Sequence, residues 1–165
     1  MQQIAQNHCG GCTYCCKLLG IKEISKPKGQ WCPMCQIGVG CKAYEVKPPS
    51  CADYECVWLM SQRGDQPMPL HMRPDKSKVV LSELGDHGVV TAHVEPTRPD
   101  AWEEPEMYAV IKMIALHTKV VIDNGKGNTK ILIQNAGSGY SVTKRTITMS
   151  EPDENGIQHY DPEKQ

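Results

Sequence analysis

The sequence predicts an α+β fold: an irregular, metal-stapled cysteine-rich N-terminal region followed by a small antiparallel sheet with one packed helix. Three observations carry this reading. All nine cysteines of the 165 residues lie between Cys9 and Cys56. Alternating β-branched runs begin only at Lys78, and a single helical stripe interrupts them. The chain divides accordingly into a cysteine-cluster region over 1–61, a linker over 62–77, the α+β region over 78–149 and an acidic tail over 150–165.

Residues 9–60 are punctuated by Gly10, Gly11, Gly20, Gly29, Gly38, Gly40, Pro27, Pro33, Pro48 and Pro49, which break regular structure. Only residues 54–60 have the makings of a short helix. Gly64, Pro67, Pro69 and Pro74 mark a loop over 62–74. Strands are predicted over 78–82 and 89–94, joined by a turn and forming a hairpin, with Pro96 and Pro99 ending the second. A helix follows from residue 103 or 105 to 118, with Pro105 in its first turn and Glu103, Glu104 and Glu106 at the positive end of its dipole. Met107, Val110, Ile111, Ile114 and Ala115 form its apolar stripe, and Met113 and Leu116 widen it toward burial over much of its circumference. Strands over 120–122 and 130–134 flank a turn at 123–128, and a last strand covers 142–149. One helix among such strands gives an α+β layout. The tail holds Glu151, Asp153, Glu154, Asp161 and Glu163 against Lys164 alone, and its order is expected to depend on a partner.

The cysteines have the spacing of metal thiolate chemistry. Cys9-Gly-Gly-Cys12-Thr-Tyr-Cys15-Cys16 places four sulfurs in eight residues, and Cys32-Pro-Met-Cys35 is a second knuckle. A C-x-x-C turn presents two sulfurs to one zinc ion with little strain. A run of C-x-x-C-x-x-C can equally wrap a cubane iron–sulfur cluster, with a fourth cysteine arriving from elsewhere. The compact triple run and the absence of a paired-histidine motif tilt the choice slightly to iron–sulfur. The candidate ligands are Cys9, Cys12, Cys15, Cys16, Cys32, Cys35, Cys41, Cys51 and Cys56. A first centre on Cys9, Cys12 and either Cys15 or Cys16 is expected, because adjacent side chains point in different directions. The remaining cysteines supply a fourth ligand and any second centre, and the spacing does not apportion them. His8 is a fallback ligand. A disulfide framework competes with this reading, against an odd cysteine count, the adjacent Cys15-Cys16 pair and first residues with neither a basic nor an apolar leader pattern.

The cysteine block resembles the YkgJ-like cysteine-cluster proteins, a family described as a zinc- or iron-chelating domain. The matching residues are Cys9-Gly-Gly-Cys12-Thr-Tyr-Cys15-Cys16 and Gly40-Cys41-Lys42-Ala43-Tyr44-Glu45-Val46-Lys47-Pro48, leading to Cys51, Tyr54 and Cys56. Thr13, Ala43 and Lys47 stand where that pattern has glycine, isoleucine and arginine, so Lys47 lacks the bidentate guanidinium. A softer likeness extends over residues 73–80, 92–96 and Ala101-Trp102. The resemblance implies a cysteine-bound metal centre and leaves the biochemical role open.

Composition narrows the remaining choices. A formal charge of −1 gives no pull toward nucleic acid, and no apolar run is long enough to span a membrane. The lysines around the cysteines are read as counter-charge or solvated surface. The expected setting is a reducing one: the cytoplasm, or a particle assembled inside the cell. His71, His87, His93, His117 and His159 form no catalytic spacing, so the balance is against an enzyme. His93 alternates with Ala92 and Val94 in a predicted strand and is assigned a surface or cross-strand contact. Trp31, Trp58 and Trp102 are read as packing residues. Gly125-Lys126-Gly127 lacks the spacing of a phosphate loop. Two roles follow: a cluster or zinc protein with a structural, redox or metal-sensing function, or a subunit of a larger bacterial or phage assembly whose metal only stabilises the fold.

Overall fold

The computed structural model describes residues 9–83, 88–154 and 158–160. His8 and His87 lie outside them. The cysteine region carries short elements: α1 (Cys15–Leu18), a two-stranded ladder of β1 (Cys35–Gln36) and β2 (Gly40–Cys41), α2 (Pro49–Ala52) and α3 (Val57–Ser61). Residues of the expected linker form α4 (Pro74–Ser77). Then come β3 (Val79–Glu83), β4 (Val89–Val94), α5 (Pro105–Ala115), β5 (Lys119–Asp123), β6 (Thr129–Asn135) and β7 (Val142–Thr148).

The five strands form one sheet in chain order, β3-β4-β5-β6-β7. Three ladders are antiparallel as expected, but β4 and β5 pair in parallel, so the sheet is mixed. The cause is α5. Its 11 residues rise about 16 Å, roughly one strand length, so the chain is carried back to the start of β4 before β5 begins. A helical crossover yields a parallel neighbour where a tight turn yields an antiparallel one.

Register sorts the side chains onto two faces. Val79 stands opposite Val94, Leu81 opposite Ala92, Val90 beside Val120 and Ala92 beside Ile122. These residues form the core with Trp102 and with Met107, Ile111 and Ala115 of α5. The helical stripe is therefore placed as expected, but it is narrower: Met113 is 67% exposed. Pro105 occupies the first turn, and α5 ends at Ala115, short of the predicted residue 118. Trp58, Leu59 and Met72 enter the same core, so both the cysteine region and the segment after it contribute to the packing of the sheet.

The other face is also covered. Lys17 of α1 donates to Glu95, just beyond β4, at 2.6 Å, and the Glu95 side chain is 3% exposed. Arg73 joins Asp75 at 2.6 Å and also donates to the Gly10 carbonyl at 2.6 Å. Glu95, Arg73 and Asp75 belong to the segments that carried the softer likeness, and the contacts of Glu95 with Lys17 and of Arg73 with Gly10 tie the cysteine region down. Burial pushes the Glu95 carboxyl up, but the Lys17 ammonium and hydrogen bonds from Thr97 and Tyr14 hold it below its ordinary value of 4.5. A depressed carboxylate stabilises above its unfolded pKa, and its contribution is lost as pH falls through the folded one. Glu95→Gln is therefore expected to lower stability by about 2 kcal/mol at pH 7. Urea titrations should show the difference shrinking below about pH 4; a pH-independent difference would point to packing instead.

Part of the tail folds back. Met149 bridges Tyr160, Ser150 N donates to the His159 carbonyl at 2.7 Å, and Gln158 donates to Asn128 at 2.7 Å.

Candidate metal centre

All nine cysteines line one cavity of about 1350 Å³ between the cysteine region and the sheet. None is in a disulfide. The volume exceeds the roughly 300–1,000 Å³ of ordinary ligand pockets.

Local turns deliver the sulfurs. Cys12 N donates to the Cys9 carbonyl at 3.0 Å, closing the first knuckle. Gly11 makes this turn possible: its φ is +81°, and a Cβ there would stand 2.9 Å from the Gly38 carbonyl oxygen. Cys35 N donates to the Cys32 carbonyl at 3.0 Å, closing the second, and Cys32 N donates to the Cys16 carbonyl at 3.0 Å, tying that knuckle to α1. Cys35 then pairs with Cys41 across the β1–β2 ladder. Cys51 lies in α2, and Cys56 is the N-cap of α3. The Cys9 and Cys56 side chains pack against the sheet core.

The thiols influence one another. Burial, then the charges of Cys56, Cys12 and Cys16, push Cys9 up to about 11. Burial likewise pushes up Cys12, which the N–H groups of Tyr14 and Asp75 pull down in part. It also raises Cys56, against the N–H groups of Leu59 and Trp58 at the start of α3. Cys15 is raised most strongly by its hydrogen bond to Cys16. That bond in turn lowers Cys16 to about 6, with help from Cys35 and Lys26. Cys35 is pushed up to about 11 by burial and by Cys16. Lys26 is buried, its ammonium bonded to the carbonyls of Lys17 (2.9 Å) and Leu19. Burial lowers its pKa, while Cys32, Cys16, Cys15 and Cys51 raise it, which makes it the internal counter-charge to the thiols. Lys47 is a weaker one, acting on Cys9 from a position 4.0 Å above the Tyr44 ring.

The opposite wall is the inner face of the sheet. Val80, Ser82, Thr91, His93, Val121, Asp123 and Lys130 line it. Tyr54 reaches from the cysteine region to Ser82, oxygen to oxygen at 2.6 Å, and burial raises its pKa. Asp123 bonds Lys130 at 2.6 Å and Lys28 at 3.2 Å, and it faces His93 Nδ1 at 4.0 Å. His93 thus makes the cross-strand contact expected of it but is buried, not on the surface. Burial lowers it to about 4, and its Nε2 has no hydrogen-bond partner among the described residues. The sequence reading did not single out Asp123 or Lys130 as a buried pair.

The donor set suits a thiolate-bound metal. Soft sulfurs, one thiol poised near neutrality and a buried ammonium are the surroundings that zinc and iron–sulfur centres take. Among the described residues, no three Cys, His, Asp or Glu side chains close around a single point. Comparison with protein-family models, curated proteins and solved structures finds no match. Among the described residues, no helix is long and apolar enough to cross a membrane.

Proposed function

We propose that this chain is a metal-binding cysteine-cluster protein that holds an iron–sulfur cluster, in preference to zinc, through cysteine thiolates, with a structural, redox or metal-sensing role. The observation that carries the reading is the convergence of all nine cysteines on one cavity. The resemblance of the cysteine block to YkgJ-like proteins agrees with it. Zinc draws four ligands to about 2.3 Å from one point, whereas a cluster is a body with sulfurs distributed around it. Thiols spread around a large cavity suit the second better. Cys9, Cys12, Cys15, Cys16, Cys32, Cys35, Cys41, Cys51 and Cys56 are the candidate ligands of this reading. A bound cluster would supply a one-electron redox centre. The chain itself would set its surroundings: N–H groups of Tyr14, Asp75, Trp58 and Leu59 directed to Cys12 and Cys56, and the Lys26 ammonium. A reducing compartment such as the cytoplasm is the setting in which these thiols stay available.

A second reading has an observation of its own. Met34, Ile37, Val39, Tyr44 and Val46 are large apolar side chains left exposed on the cysteine region. Such surface suits a subunit of a larger assembly whose metal only stabilises the fold.

A visible spectrum of protein purified without oxygen separates the metals. Broad absorption near about 400 nm that bleaches with dithionite is expected for a cluster. A colourless protein that holds zinc would move the reading to a structural staple, and a colourless metal-free one would refute it.

A further inference from the structure

The short ladder of β1 and β2 sets two of the thiols directly opposite each other. Cys35 is the partner of Cys41, with Gln36 opposite Gly40. Lys42 N donates to the Met34 carbonyl at 2.8 Å, which makes Met34 and Lys42 a hydrogen-bonded pair in the same register. Hydrogen-bonded and non-hydrogen-bonded pairs alternate along an antiparallel ladder. Cys35 and Cys41 are therefore a non-hydrogen-bonded pair, the kind whose side chains share one face and stand closest. Such a pair has its Cα atoms about 4.5 Å apart, within the span of about 4.4–6.8 Å that a disulfide bridges. Cys15 and Cys16 are also neighbours, but consecutive Cα atoms on a helix are about 3.8 Å apart, outside that span.

The ladder is held by contacts that need neither sulfur. Gly38 N, at its tip, donates to Oγ1 of the buried Thr13 at 3.1 Å, and Cys32 N, just before it, donates to the Cys16 carbonyl at 3.0 Å. Around the pair, Ile37 and Val39 are 61% and 65% exposed, and Cys35 and Cys41 are themselves partly exposed, so a small reagent reaches them from solvent. Cys32, the rival partner of Cys35 in its C-x-x-C turn, is buried.

We propose that Cys35 and Cys41 are a reversible cross-strand disulfide site, closed by a low-molecular-weight disulfide such as oxidised glutathione. One cysteine thiolate attacks the glutathione disulfide, forms a mixed disulfide and releases one glutathione. The opposite thiolate then attacks the cysteine sulfur of that mixed disulfide, whose S–S bond breaks as the second glutathione leaves. The two cysteines give up two electrons and two protons, and the glutathione disulfide takes up both as two thiols. The new bond joins strands that are already paired, so the backbone stays in place. Both sulfurs line the cavity. On the metal-binding reading above, closing the bridge takes two candidate ligands away, and oxidation opposes metal binding.

The test uses the full chain as isolated without oxygen, equilibrated with mixtures of reduced and oxidised glutathione. Free thiols are blocked with N-ethylmaleimide, bridges are then reduced, and the released thiols are labelled with iodoacetamide. Trypsin cleaves after Lys28 and Lys42, so Cys32, Cys35 and Cys41 fall in one peptide that tandem mass spectrometry reads residue by residue. Cys35 and Cys41 are expected to pass together from unlabelled to fully labelled, in equal amounts and ahead of any other pair, while Cys32 keeps the first reagent. Dithiothreitol should reverse the change. Cys35 joined to Cys32 or Cys16 would overturn the proposal, as would Cys35 and Cys41 each stopping at the mixed disulfide or staying reduced at every ratio. Metal content of the same samples tests the link to the earlier reading. Loss of metal in step with the bridge is expected, and metal retained by the bridged chain would overturn the opposition between oxidation and metal. A chain isolated without metal would remove the metal-binding reading, and the bridge would still be read on the same peptide.

Discussion

Stripping the proposed metal from the folded chain is expected to unfold residues 9–60 and leave the sheet standing. The reason is in the side chains. Within the cysteine region the buried apolar residues are few, Leu18, Ile21 and Cys32 before the α3 pair Trp58 and Leu59. Its helices are of four or five residues, too short to hold without outside support. The sheet and α5 keep a continuous core from Val79 to Ile133. Structural metal binding is worth about 10 kcal/mol or more in such regions, because ligand binding and folding are the same event. Limited trypsin digestion with mass spectrometry reads the outcome. After chelation, cuts at Lys22, Lys28 and Lys42 should appear first, with 79–148 resistant. An unchanged cleavage pattern would mean that the cysteine region is held by its own packing and by clamps such as Lys17 to Glu95.

Asp123→Ala is expected to cost about 3–5 kcal/mol, the loss that follows when one partner of a buried ion pair is removed. The Asp123 and Lys130 side chains are only 11% and 7% exposed, so the Lys130 ammonium would keep the Gly127 carbonyl and no counter-charge. Burial pushes the Asp123 carboxyl up, yet the hydrogen bond from Lys130 and the charges of Lys28 and Lys130 hold it below its ordinary value of 3.8. The sign follows: the stabilisation is present above that value and fades as pH falls through the lower folded pKa. Lys130→Met in the same chain should recover much of the loss by removing the stranded charge. Chemical denaturation of the single and double variants checks both. A loss below about 0.5 kcal/mol for Asp123→Ala would place it among ordinary surface changes and contradict the burial argument.

How much of this was legible in the sequence depends on which physical signal each feature leaves. The α+β layout was legible because Val79-Val80-Leu81 and Val120-Val121-Ile122 announce strands and the 107–115 stripe announces a helix. The parallel ladder was not, because alternation is the same in either direction and only the crossover decides. Met113 was misplaced because it was taken, with Leu116, to widen the buried face, while the helix packs chiefly against β5, β6 and the turn Ala101–Glu103. His93, Asp123 and Lys130 were missed as a buried group because polar residues on alternate positions read as the solvent face. A signal was present: Val80 and Val121 put apolar residues on that same face, the pattern of strands covered on both sides. The cysteines were all found, but that Cys51 and Cys56 return to line the same cavity as Cys9 was not, since spacing along the chain does not say where the later ones fold back.

The central claim, that the cysteine-lined cavity is a metal centre, is tested most directly by metal and acid-labile sulfide analysis of the full chain as isolated without oxygen. The account predicts iron with matching sulfide in amounts proportional to the chain. Protein that carries neither iron nor zinc, with all nine thiols free to react with a chromogenic disulfide in the native state, would contradict it.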